Sequence, residues 1–192
     1  MLVLPDIAGE PHFRILAIDP GTTTLGIAIV DYNHVDDTYL VEHATTIPIG
    51  KLFAECVSLI ETQSEKAAKL RTVQTSVLNM LMAWNPSAVV SEGPYMGSFP
   101  SAYAALVECV SNIRFAVEQF NPFYKLAVFD PASVKKSVGV SGKSGDKELV
   151  RKALARMPNL LWVSDLTLNS LDEHSVDAIA VAIAYTRIPL TL

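Results

Sequence analysis

The chain has 192 residues, half of them hydrophobic, and its 15 basic and 20 acidic side chains leave a net charge of −5. That length suits one domain with a real core, and the apolar share argues against disorder. No apolar stretch is long enough to span a bilayer, and the acidic balance argues mildly against a nucleic-acid partner.

The opening "MLVLPDIAGEPH" (1–12) lacks the basic start and apolar centre of a secretion signal and reads as a flexible arm. Residues 13–192 then form a single domain. "FRILAID" (13–19) predicts a strand, "LGIAIVD" (25–31) its hairpin partner, and "TYLVEHATTIPI" (38–49) a third strand. Short polar turns join them, so they are expected to pair antiparallel. From 65 to 84 the apolar period turns helical through Leu70, Val73, Val77, Leu78, Leu81 and Trp84. Asn85-Pro86 stops that helix.

"SAVVSE" (87–92) is a short strand ending in Glu92. The loop "GPYMGSFP" leads to a helix at 101–119 striped by Tyr103, Leu106, Val107, Val110, Ile113 and Val117. "YKLAVFD" (124–130) is a fifth strand, and "PASVKKSVG" starts a short helix with proline in its first turn. A Gly/Ser/Lys loop, "VSGKSGDK" (140–147), precedes a basic helix, and a last helix runs from about 171 to 187. The expected fold is α/β: a mixed five-stranded sheet, three antiparallel strands and then parallel ones, with helices on both faces.

Cys56 and Cys109 fall in helix-like segments and read as buried small apolar residues in a reducing cytosol. Residues 135–156 carry seven basic side chains against two acids, so this segment is +5 and the rest of the chain −10. Such a patch grips phosphates or is simply a solvated basic helix; charge alone weighs the two evenly.

Asp19 ends an apolar run within "AIDPGTTTLGIAIV" (17–30) and meets a Pro-Gly turn at once. A carboxylate between buried strands is costly to desolvate unless something compensates it. Glu92 closes the fourth strand, where sites of helix-covered sheets gather. Asp177 precedes a run, "AIAVAIAY", apolar almost all round, and His174 lies one turn before it on the same face. Glu173 fits a capping box with Ser170, which favours a cap over a site role. Singly, each residue has a bland reading as turn, surface or cap. Three carboxylates and an imidazole at element edges together suit a hard cation such as Mg²⁺ or Mn²⁺.

"ILAIDPGTTTLGIAIV", "AVVSEGPYM", "ASVKKSVGVSGKSGDKELV" and "HSVDAIAVAIAY", in that order over roughly 13–187, resemble the RuvC-type Holliday junction resolvases of the RNase H-like superfamily. The resemblance implies a magnesium-dependent endonuclease resolving four-way DNA junctions, cytoplasmic and homodimeric. It implies Asp19, Glu92, His174 and Asp177 as catalytic ligands of two ions, with Mn²⁺ able to replace Mg²⁺. Tyr95 would stack on a base, and Lys135 and Lys147 would lie near the scissile phosphate. The loop from Gly139 to Lys147 departs from the family pattern in length, which adds Lys143 as an alternative to Lys147. That loop and the extra arm would suit a phage-encoded relative.

Gly21 permits the turn, and Gly26 either lets metal or DNA approach the backbone or serves only the hairpin. The two-fold symmetry of a junction calls for a C2 dimer, with the stripe at 65–84 or at 101–119 as its interface. Three alternatives remain. "DPGTTTLG" also resembles the phosphate hairpin of sugar kinases and actin-like ATPases, though 192 residues leave no room for their second domain. A non-catalytic junction binder would not need all four ligand positions filled. A broader nuclease for forks and flaps is not separable by sequence.

Overall fold

The computed structural model describes residues 12–96, 99–141 and 148–189. The arm expected at 1–12 lies, up to residue 11, outside the described residues, and so do Lys143 and Lys147.

Strands β1 (His12–Asp19), β2 (Leu25–Asn33) and β3 (Thr38–Ile47) open the fold. Their aliphatic and β-branched runs suit a pleated surface packed on both sides. They pair antiparallel, Ile18 facing Ile27 and Ala28 facing Ala44. A segment with no clear sequence period follows and coils into two short helices, α1 (Ile49–Leu52) and α2 (Val57–Thr62). The long helix α3 (Glu65–Trp84) starts at Ser64, whose hydroxyl accepts from the Ala67 amide. It ends at Asn85 in the left-handed conformation (φ 43°), a common helix stop.

Strand β4 (Ala88–Glu92) runs parallel to β1. Helix α4 (Pro100–Phe120) returns the chain, and β5 (Leu126–Phe129) lies parallel to β4. Helices α5 (Pro131–Ser137) and α6 (Glu148–Ala155) come next. The sheet has six strands, not the five expected, because β6 (Leu160–Trp162) pairs parallel with Tyr39–Val41 of β3. Three residues are too few to show a period. The strand order is β5-β4-β1-β2-β3-β6. Helix α7 (Glu173–Arg187) then crosses the middle of the sheet.

Side chains alternate between the faces of a strand, and here both faces are buried. Leu16, Ile18, Leu25 and Ile27 pack against Val73, Val77 and Leu81 of α3 and Ile113 and Val117 of α4. Ile15, Ala17, Ala28 and Val30 pack on the other side against Val176, Ile179, Val181 and Ile183 of α7. Alanines at 178, 180, 182 and 184 let α7 lie close to the strands, and all four are buried.

Two expected details differ. The stripe of α4 runs through Cys109, Val110, Ile113, Ala116 and Val117, and Val107 is exposed. The apolar stripes of α3 and α4 are therefore spent on the sheet; the large apolar side chains these helices leave outside are Met82, Val107 and Phe115. Cys109 lies in α4 and is buried, whereas Cys56 precedes α2 and is half-buried. No helix among the described residues is long and apolar enough to cross a membrane.

Candidate functional site

The alternation that buries β1 decides where its last residue points. Ile15 and Ala17 face α7, so Asp19, two further on, shares that side. On β4, Val90 faces α7 and Glu92 follows with the same parity. The strands are neighbours, with Ile18 opposite Ser91. Two carboxylates thus leave adjoining strand ends toward one helix.

Helix α7 is fixed at that end by its cap. Asp172, not Ser170, is the N-cap: its carboxylate accepts from the Ser175 amide at 2.9 Å and from the Thr46 hydroxyl at 2.6 Å. Burial opposes the Asp172 charge, but these hydrogen bonds hold its carboxyl below the usual aspartate range. Ser170 instead ends a short 3-10 turn, so the expected capping box does not form. Aspartate suits the N-cap as well as serine does, and Thr46 on β3 gives Asp172 a second donor. Glu173 is the first residue of α7, with an oxygen 3.8 Å from His174 Nε2.

Gly26 allows the helix to come close. A methyl group there would collide with the His174 carbonyl and lie 3.0 Å from Asp19 Cβ. It is the start of α7, rather than metal or DNA, that occupies the space. His174 then donates from Nδ1 to Asp19 Oδ2 at 2.8 Å, and its Nε2 meets the Thr24 hydroxyl at 2.9 Å. The Asp19 contact raises the His174 pKa above the ordinary histidine value, against the effect of burial.

Glu92 reports the crowding. Burial, then the charges of Asp19 and Asp177, push its pKa up to about 8, with Lys135 opposing them. Glu92 thus feels both Asp19 and Asp177, and Lys135 on α5 is the predicted lysine whose charge reaches it. Asp130, the N-cap of α5, adds to the repulsion and was not singled out by sequence. Cys109 lies beneath, its thiol pushed up to about 12 chiefly by burial, which keeps it inert.

Tyr95 stands on the loop after β4, 68% exposed, with Met96 and Phe99 also exposed. Arg151 of the basic segment is used internally, donating to the carbonyls of Leu168 and Leu171 at 2.5 and 2.9 Å. Thr24 was missed: it meets His174 across 150 positions of chain, and no local pattern signals such a contact.

Among the described residues, no three His, Cys, Asp or Glu side chains stand ready as a ligand group for one ion. The donor chemistry nonetheless fits a hard divalent cation. Three carboxylates crowd until one holds its proton, the opposite of what a site built for neutral ligands shows.

A sheet of antiparallel then parallel strands, with acids at the adjoining ends of β1 and β4 and on the helix across them, defines an RNase H-like nuclease fold. The family described as crossover junction endodeoxyribonuclease RuvC matches residues 15–185, and the chain belongs to that family. The RuvC of Xanthomonas oryzae pv. oryzae is 27% identical over 179 residues, 93% of this chain and 90% of that relative. The Thermus thermophilus RuvC in complex with Holliday junction substrate superposes with a TM-score of 0.66 at 17% identity, covering 91% of this chain and 93% of that one. A yeast mitochondrial Holliday junction resolvase superposes at 0.64 and 15% identity, over 95% and 81%. The two structural likenesses speak for the fold.

Proposed function

We propose that this chain resolves four-way DNA junctions by paired, metal-dependent phosphodiester hydrolysis. The observation that carries the reading is that Asp19 and Glu92 leave adjoining strand ends toward α7, where Glu92 also feels the charge of Asp177. Such a cluster is tolerable at neutral pH when a cation joins it. Asp19, Glu92, His174 and Asp177 would hold two divalent ions, Mg²⁺ or Mn²⁺ in its place. When bound, these supply the Lewis acidity for phosphodiester hydrolysis.

The remaining work falls to the chain. His174, hydrogen-bonded to Asp19, keeps that carboxylate turned toward α7. Lys135, together with Lys147 or Lys143, offsets charge developing on the phosphate. Tyr95, with its ring exposed, stacks on an unpaired base, a contact worth about 1–3 kcal/mol. Two matched cuts require two sites, so a C2 homodimer is the natural assembly, and the exposed Met82 and Phe115 offer apolar surface for it. Reduced cysteines and a DNA substrate fit a cytoplasmic location.

The test is cleavage of labelled junctions with and without Mg²⁺ or Mn²⁺, mapping both incisions. Forks and flaps run in parallel separate a strict resolvase from a broader nuclease. Asp19→Asn and Asp177→Asn are expected to keep junction binding and lose cutting. Cutting at the native rate by either variant would remove the metal assignment.

A further inference from the structure

We propose that the open edge of β5 is a docking site for an extended acidic segment of a partner protein, which adds to the sheet as a further strand. The inference goes beyond the nuclease reading and does not rest on it. β5 ends the strand order, so among the described residues only β4 pairs with it. On the β4 side the Phe129 carbonyl accepts from the Gly93 amide at 2.7 Å. Backbone groups of successive strand residues turn to alternate edges. Those of Ala127 therefore point inward like Phe129, and those of Leu126 and Val128 point outward. A groove of about 520 Å³ follows this edge. Every residue from Lys125 to Asp130 lines it, whichever face its side chain takes, so the groove runs along the strand rather than under one face. Arg114 of α4 forms one wall, and Tyr185 and Ile188 at the end of α7 form the other.

Chemistry selects the occupant. Arg114 and Lys125 are exposed, and neither has an ion-pair or hydrogen-bond partner among the described residues. Asp130, the acid on this rim, is already engaged: it caps α5, accepting from the Ser133 amide at 2.9 Å. The charge left over is positive, on a chain whose net charge is −5. Between the cations the surface is apolar, with Val128 39% exposed on a strand whose Leu126 and Phe129 are buried. The phosphates of a nucleic acid suit the cations but not the edge, because they only accept and the Leu126 and Val128 carbonyls need donors. A second copy of β5 brings the same surplus of positive charge rather than its complement. A polypeptide in extended form supplies alternating donors and acceptors, and its acidic side chains answer Arg114 and Lys125. In strand addition of this kind the main chain gives affinity and the side chains give specificity. At its α5 end the groove reaches Asp130, whose charge Glu92 feels, so a segment held here brings its parent protein beside the acid cluster.

The test uses the whole chain, without DNA or metal. The probe is a fluorescein-labelled peptide of alternating valine and glutamate with blocked ends. Its anisotropy is expected to rise saturably with protein, and the binding to weaken with added salt. Arg114→Glu and Lys125→Glu are each expected to weaken it about 3–10-fold. The double reversal is expected to prefer a valine–lysine peptide. Val128→Pro removes an outward amide and spares the ladder to β4, as proline on an edge strand can; it is expected to weaken binding about tenfold. A probe methylated at alternate amide nitrogens asks the same question from the peptide side if that variant folds poorly, and is expected not to bind. A native chain that gives no saturable rise, or that holds the methylated probe as well as the plain one, would overturn the proposal and leave Arg114 and Lys125 as guards against edge-to-edge association. Displacement of the probe by a short DNA duplex at lower concentration than by unlabelled peptide would assign the groove to nucleic acid instead. A halved mass in solution for Val128→Pro would assign the edge to a second copy. A native chain that binds the probe as expected but cuts no junction would remove the nuclease reading and leave the docking site standing.

Discussion

Glu92 is the residue at which folding and function pull in opposite directions. Its carboxyl is half-buried near the charges of Asp19 and Asp177, and desolvation with like charge is unfavourable without a counter-ion. Glu92→Gln removes the repulsion while keeping the shape. In chelator at pH 7.5 the variant is expected to melt higher than the native chain, by about 2–4 °C for each kcal/mol relieved. Added Mg²⁺ should narrow that gap by stabilising only the native protein, and the variant should not cut. Equal melting of the two chains in chelator would show that the carboxylates do not strain the fold. Arg14 is the opposite case: its guanidinium meets Asp31 through two bonds of 2.7 Å and lies over Trp84, so charge there serves structure alone.

Helix α7 is the element on which the proposed site depends, because it supplies both the floor of the core and two of the four proposed ligands, His174 and Asp177. Its approach requires Gly26. Gly26→Ala is expected to cost about 1–3 kcal/mol through overpacking and to slow cutting more than binding, since the His174 carbonyl must move away from β2. Native melting and native rates in that variant would show that α7 tolerates the shift. Much of this layer was legible in sequence. The runs before and after Asp19 are long enough to declare two paired strands, and the unbroken apolar face after Asp177 declares a buried helix. The resemblance of four motifs then joined Asp19, Glu92, His174 and Asp177 into one set.

Other parts were not legible, for physical reasons. Strand β6 is defined by its partner Tyr39–Val41 rather than by any period of its own. The choice of Asp172 over Ser170 as the cap turns on Thr46, far away in the chain. Thr24 and His174 are joined only by the fold. The exposure of Val107 reflects the exact rotation of α4, which a one-dimensional pattern fixes loosely.

At the scale of the whole molecule, one described domain carries one cluster of acids, whereas a junction must be cut twice. A dimer of one native chain and one Asp19→Asn chain is therefore expected to nick a cruciform plasmid rather than linearise it. The ratio of nicked to linear product reads this directly, and full linearisation by the hybrid would show that one site makes both incisions.

Asp19 and Glu92 end neighbouring parallel strands with matching parity. A slip of one residue in that pairing would send one acid to the side of α3 and α4, since side chains alternate along a strand. Turnover is thus a gauge of strand alignment: a misregistered isomer could be compact and helical yet would be inert. Recovered activity after refolding counts the correctly threaded sheets more directly than any measure of secondary structure content.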